Sequence, residues 1–124
     1  MRVEFDLKNT IKENREFVYA YRKGNKCVTP YFVMYTTKNK ANVTKLGITV
    51  SKAIGKAHDR NYAKRLIREA YRKCLADIKS CHNIVIVARE RICNAPFEKL
   101  CGALRFAAKE NGLIETTDTG DGNA

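Results

Sequence analysis

Arg60, Lys64, Arg68 and Arg72 recur every four residues, a spacing that places them on one face of a helix. At about 100° per residue the same face collects Asn61 and Arg65 within an arc of roughly 140°. The opposite arc is apolar, with Ala63, Leu66, Ile67, Ala70 and Cys74. An ordinary solvated helix face mixes signs, because opposite charges four apart support a helix and like charges oppose it. A row of one sign becomes favourable when phosphates face it and condensed counterions are released. From Lys52 to Lys73, with Lys56 just ahead of the row, eight basic residues face two acidic ones, Asp59 and Glu69. Asn61 lies among the cations and can bond a base edge, a ribose 2′-hydroxyl or a hydrated metal ion; the wheel does not choose between them. A membrane-surface helix is the competing use of a basic stripe. It would need a bulkier apolar arc than this one, whose alanines suit close packing on a sheet.

Other chemistry is thinly represented. A nuclease that works through its own metal ions clusters carboxylates, and here the acidic residues are scattered. His58-Asp59 stands without a visible partner for acid–base work. Cys27, Cys74, Cys81, Cys93 and Cys101 are odd in number and no pair has CxxC spacing. Cys81-His82 lacks the further ligands of a zinc site. Free core thiols in a reducing compartment are the expectation, with no catalytic or metal centre in the protein itself. Aromatic residues offer a different contact. Phe17 and Tyr21 are four apart on one helix face, and Tyr35 follows on a strand. Such a set stacks bases without regard to sequence, or simply fills a core. The tyrosines at 21 and 35 keep a polar end that suits a half-exposed position. Lys52, just after a strand, is placed for a phosphate.

The elements that must hold these residues are legible. Asn14 to Lys23 reads as a helix with Asn14 as cap and Gly24 as stop. A short strand at Lys26–Thr29 ends at Pro30. Tyr31–Thr37 is rich in aromatic and β-branched residues. The polar stretch Lys38–Asn42 reads as a hairpin loop leading into Leu46–Val50. The basic helix spans about Lys56 to Ala76. Asn83–Ala88 is a continuous apolar run, suited to a strand buried on both faces. The last helix spans about Ala95 to Asn111, with Asn94 as cap, a buried stripe of Phe97, Leu100, Leu104 and Ala107/Ala108, and Gly112 as stop. The order α-β-β-β-α-β-α predicts an α+β sandwich with helices packed on a four-stranded sheet.

The 124 residues make one domain, expected over 1–114. Lys and Arg number 24 against 13 Asp and Glu, a net +11. Residues 110–124 hold Glu110, Glu115, Asp118 and Asp121 and no cation, which leaves +15 on residues 1–109. The stretch 115–124 is acidic, has nothing apolar before its final alanine, and is expected to be a disordered tail. The N-terminus has no apolar leader segment and no run approaches a membrane span, so a cytoplasmic protein is expected.

These residues carry a resemblance. Leu46-Gly47-Ile48-Thr49-Val50-Ser51-Lys52, then Gly55-Lys56-Ala57, then Arg60 through Ala70 is similar to the signature of the bacterial ribonuclease P protein subunit, and the likeness runs over nearly all of residues 5–114. One position departs: the family's Arg-Asn-Arg triplet reads Arg60-Asn61-Tyr62, which removes one flanking contact. The resemblance implies a left-handed βαβ crossover and a role in a ribonucleoprotein that removes the 5′ leader of precursor tRNA. It implies that catalysis and Mg²⁺ belong mainly to the RNA, so that the chain is part of an endoribonuclease and not catalytic alone. It implies ribonuclease P RNA and precursor tRNA as partners. Lys56, Arg60, Asn61, Lys64, Arg65, Arg68 and Arg72 would face RNA, and Phe17, Tyr21, Tyr35 and Lys52 would form the leader cleft. Tyr19 and Tyr31 carry no such implication. The alternative is a non-catalytic RNA-binding module, ribosome-associated or chaperone-like.

Overall fold

A computed structural model describes residues 11, 13–39, 44–74 and 82–113. Helix α1 (Asn14–Lys23) keeps the expected bounds, but Asn14 is its first helical residue and not its cap. The capping position is Glu13, whose side chain makes no cap bond and instead accepts from Arg15 Nε at 2.6 Å. Gly24 closes the helix, its N–H donating to the Ala20 carbonyl at 2.9 Å. Its φ of −77° is open to any residue, so glycine serves another purpose there. A Cβ would sit 2.5 Å from the Ala20 oxygen and 2.9 Å from the Thr36 oxygen.

Strands β1 (Asn25–Val28) and β2 (Phe32–Lys38) form an antiparallel hairpin, with Cys27 opposite Met34. Its turn is built by Thr29, whose backbone N–H and hydroxyl both donate to the Phe32 carbonyl, each at 2.8 Å. Strand β3 (Lys45–Thr49) does not pair with β2, contrary to the expected hairpin. Strand β4 (His82–Ala88) lies between them, antiparallel to β2 and parallel to β3, in the order β1-β2-β4-β3. The reason is burial. β4 is the most continuously apolar strand and needs cover on both faces, so it takes an interior place, while β3 with Lys45 and Gly47 takes the edge. A parallel partner needs a long crossover, and helix α2 (Ala57–Cys74) supplies it.

Side-chain alternation divides the sheet. Phe32, Met34, Leu46, Ile84 and Ile86 face α2 and α3 (Phe97–Glu110) and join Ala63, Ile67, Ala70, Leu100, Leu104, Ala107 and Ala108 in the main core. Val85 faces the other way, toward Ile11 and Ala20 beneath α1, with Phe17, Tyr35 and Val87 packed around them. Helix α3 begins after Pro96, and Asn94 belongs to the preceding 3-10 turn rather than to a cap. Gly112, at φ +79°, ends α3 in the left-handed region that glycine tolerates. The buried Asn111 amide donates to the Asn25 and Met34 carbonyls at 3.2 and 3.4 Å, fastening the end of α3 to the β1–β2 hairpin.

Cys27 and Cys93 are free thiols, and burial raises the pKa of both, with Glu110 and Asp59 respectively adding to the shift. Cys101 departs from expectation: it is disulfide-bonded. Pairing is decided by which sulfurs the fold brings together, and sequence spacing does not reveal that. Cys81, the side chain of Cys74, the loop residues 40–43, the expected helical end at 75–76 and the acidic tail lie outside the described residues.

Candidate nucleic-acid interface

The basic helix is set in place by what precedes it. After β3 the chain makes a 3-10 turn, Lys52–Ile54, started by the Ser51 hydroxyl accepting the Ala53 N–H at 3.3 Å. Gly55 follows at φ +146°, a conformation side chains rarely adopt. A Cβ there would also approach the Asp59 carboxylate to 2.6 Å. Arg60 Nη1 donates back to the Gly55 carbonyl at 3.4 Å. From this anchor α2 runs with Ala63, Leu66, Ile67 and Ala70 buried, as the wheel predicts.

The cationic arc is graded rather than uniform. Lys56, Asn61, Arg65 and Arg72 are exposed, whereas Arg60, Lys64 and Arg68 are half-buried. The long stems of the second group therefore cover apolar surface, as such side chains commonly do. Like-charge strain is partly relieved by Glu69, whose carboxylate lies 3.8 Å from Arg65 Nε. Both partners are well exposed, so the pair contributes little. Tyr62 is exposed at the flank of the arc.

The aromatic set assembles on the other face of the sheet. Tyr21 stands edge-on to Tyr35, with ring centres 5.0 Å apart and planes at 73°. Phe17 is 6.5 Å from Tyr21 at 42°. Phe17 and Tyr35 are half-buried and brace the small core around Val85, while Tyr21 is 40% exposed. Both readings of the aromatics thus hold: two rings support and the third faces solvent. Sequence reasoning missed two residues here. Gly47 admits the Phe17 ring, since a Cβ would meet it at 2.8 Å. Thr49 Oγ1 shares a hydrogen bond of 3.1 Å with the Tyr21 hydroxyl. The available signal was a glycine inside a strand, which marks close approach of another group. Lys52 is exposed on the turn that continues β3. The edge strand therefore walls the aromatic cleft and leads directly into the cationic helix, so the two surfaces adjoin around one edge of the sheet.

Donors for a metal ion are sparse. Among the described residues no three His, Cys, Asp or Glu side chains converge, and Asn61 brings a single amide oxygen. His58 Nδ1 lies 3.4 Å from Asp59, but its side chain is 91% exposed and no pocket encloses it. No helix among the described residues is long and apolar enough to cross a membrane.

Comparison with known proteins gives a consistent picture. The family model for ribonuclease P matches residues 5–111. The ribonuclease P protein component of Clostridium botulinum strain Loch Maree is 37% identical over 106 residues, covering 85% of this chain and 96% of that protein. That of Clostridioides difficile strain 630 is 33% identical over 112 residues, covering 90% and 98%. Among solved structures, the RNase P protein of Staphylococcus aureus superposes with a TM-score of 0.75 at 31% identity, covering 86% of this chain and 98% of its own. The RNase P protein of Thermotoga maritima gives 0.72 at 28%, covering 82% and 96%.

Proposed function

The chain belongs to the ribonuclease P protein family, and on that premise we propose that it docks on ribonuclease P RNA through α2 and holds the 5′ leader of precursor tRNA in the aromatic cleft. The observation that carries this reading is the junction just described: an exposed tyrosine braced by two further rings, continuous through Lys52 with a helix that presents cations. A single strand of any sequence can stack on Tyr21 while its phosphates meet Lys52 and Lys56. Arg65, Arg72 and Asn61 stand outermost on α2, and Arg60, Lys64 and Arg68 lie closer in. They meet the backbone of a structured RNA as a band of donors.

Catalysis in this reading is supplied by the RNA with its Mg²⁺. The protein's donor set does not by itself make a metal site, so Asn61 offers at most one oxygen to an ion that RNA phosphates hold. The chain's contribution is affinity and orientation of the scissile bond, which can lower a barrier substantially without any reacting group from the protein. The setting is the cytoplasm. Adding the chain to a bacterial ribonuclease P RNA tests the reading: leader cleavage at low Mg²⁺ should accelerate, and an unchanged rate would leave only a general RNA-binding module.

A further inference from the structure

A second basic surface lies at the end of the sheet, away from the β3 edge. It is a hollow of about 710 Å³ where the ends of α1, β2, β4 and α3 meet, a size within the usual range of about 300–1,000 Å³ for ligand sites. Lys23 and Lys38 line it with His82, Tyr19, Thr36 and Asn111, and no carboxylate does. Lys38 and His82 are direct register partners across β2 and β4, so two donors stand side by side. Cations facing each other without an acidic partner disfavour the empty surface and favour a bound anion. Tyr19 is 56% exposed, more than any other large hydrophobic residue among those described. A ring left in water beside lysines is placed to stack a base. The surface also continues. An adjoining hollow on the outer side of α1 shares Tyr19 and Lys23 and adds Arg15 and Arg22.

We propose that this basin is a second RNA-contact site that takes one phosphorylated nucleotide of a single strand, its base on Tyr19 and its phosphate among Lys23, Lys38 and His82. The proposal rests on the reading of the chain as an RNA-binding subunit and extends it to a surface separate from α2 and the Phe17–Tyr21–Tyr35 cleft. Tyr19 and Lys23 lie on α1, so the helix presents RNA-directed side chains on both flanks, Tyr21 on one and Tyr19 on the other. An oligonucleotide engaged at both would straddle it.

The test is an NMR titration of the full chain with a short single-stranded oligoribonucleotide and, separately, with inorganic phosphate. Backbone amides of Thr37, His82 and Gly112 report on the basin, and those of Phe17, Tyr35 and Thr49 report on the cleft. The oligonucleotide should shift the basin set. Lys23→Gln with Lys38→Gln should weaken the basin's binding about tenfold and lower its salt slope by about one. Tyr19→Ala should weaken it by a similar factor through lost stacking. RNA-induced shifts confined to the cleft overturn the proposal. Basin shifts with inorganic phosphate but none with RNA also overturn it, because the site would then take a free anion. Failure of the chain to stimulate cleavage by ribonuclease P RNA is a separate readout, and it bears on the proposed function without deciding whether the basin binds a strand.

Discussion

Helix α2 and the aromatic cleft solve the binding of RNA in opposite ways. The helix works by charge and local spacing: its face is assembled from residues four apart, and its energetics fall with salt. The cleft works by ring contact and long-range pairing. It draws Phe17 and Tyr21 from α1, Tyr35 from β2, and Gly47 and Thr49 from β3, and it carries no charge of its own. The contrast separates affinity from discrimination. A charged helix attracts any polyribonucleotide, whereas a stacking cleft rewards only a substrate with an unpaired strand to lay in it.

The largest effect should come from the exposed helix face. Lys64→Gln, Arg65→Gln and Arg72→Gln together should weaken the complex with ribonuclease P RNA about a hundredfold at moderate salt and lower the salt slope by roughly 2. Filter binding across a salt series checks this, and an unchanged slope would remove the helix from the interface. Tyr21→Ala should come next, costing about 1–3 kcal/mol on leader-bearing substrate by loss of a stacked base. Tyr21→Phe should keep the stacking and lose only the bond to Thr49, worth about 1 kcal/mol of stability or less, so thermal unfolding and leader affinity should separate for that variant. Gly47→Ala sharpens the point. It should push the Phe17 ring outward at about 1 kcal/mol and weaken leader binding, and in a Phe17→Ala background most of the cost should vanish.

The smallest effect concerns the underside of α2. Burial pushes the Tyr71 hydroxyl from 10.0 up to about 12. The folded state thus holds this proton more tightly than the unfolded state does. Its contribution to stability is complete below the ordinary value and declines as pH rises from there toward the folded value. Thermal melts across the alkaline range should show that decline, and Tyr71→Phe should flatten it.

The same division explains what the chain revealed before folding. The α2 stripe, the bounds of α1 and the two-sided burial of β4 follow from local periodicity, and the structure reproduces them. The position of β4 between β2 and β3 does not, because polar residues after a strand look alike whether the next strand pairs or departs. Gly47 and Thr49 were invisible as cleft residues for that reason, since only the edge position of β3 beneath α1 gives them their partners. Asn14 and Asn94 were taken as caps from residue type alone, while the helices start at their neighbours Glu13 and Pro96. The half-burial of Arg60, Lys64 and Arg68 was equally unreadable, because a wheel gives direction and not depth.

The division of labour is tested most directly by the affinity of the reconstituted holoenzyme for leader-bearing and mature tRNA, measured side by side for Phe17→Ala with Tyr21→Ala. The account predicts a loss of roughly tenfold or more on the leader-bearing substrate and none on mature tRNA. Equal losses on both would contradict it.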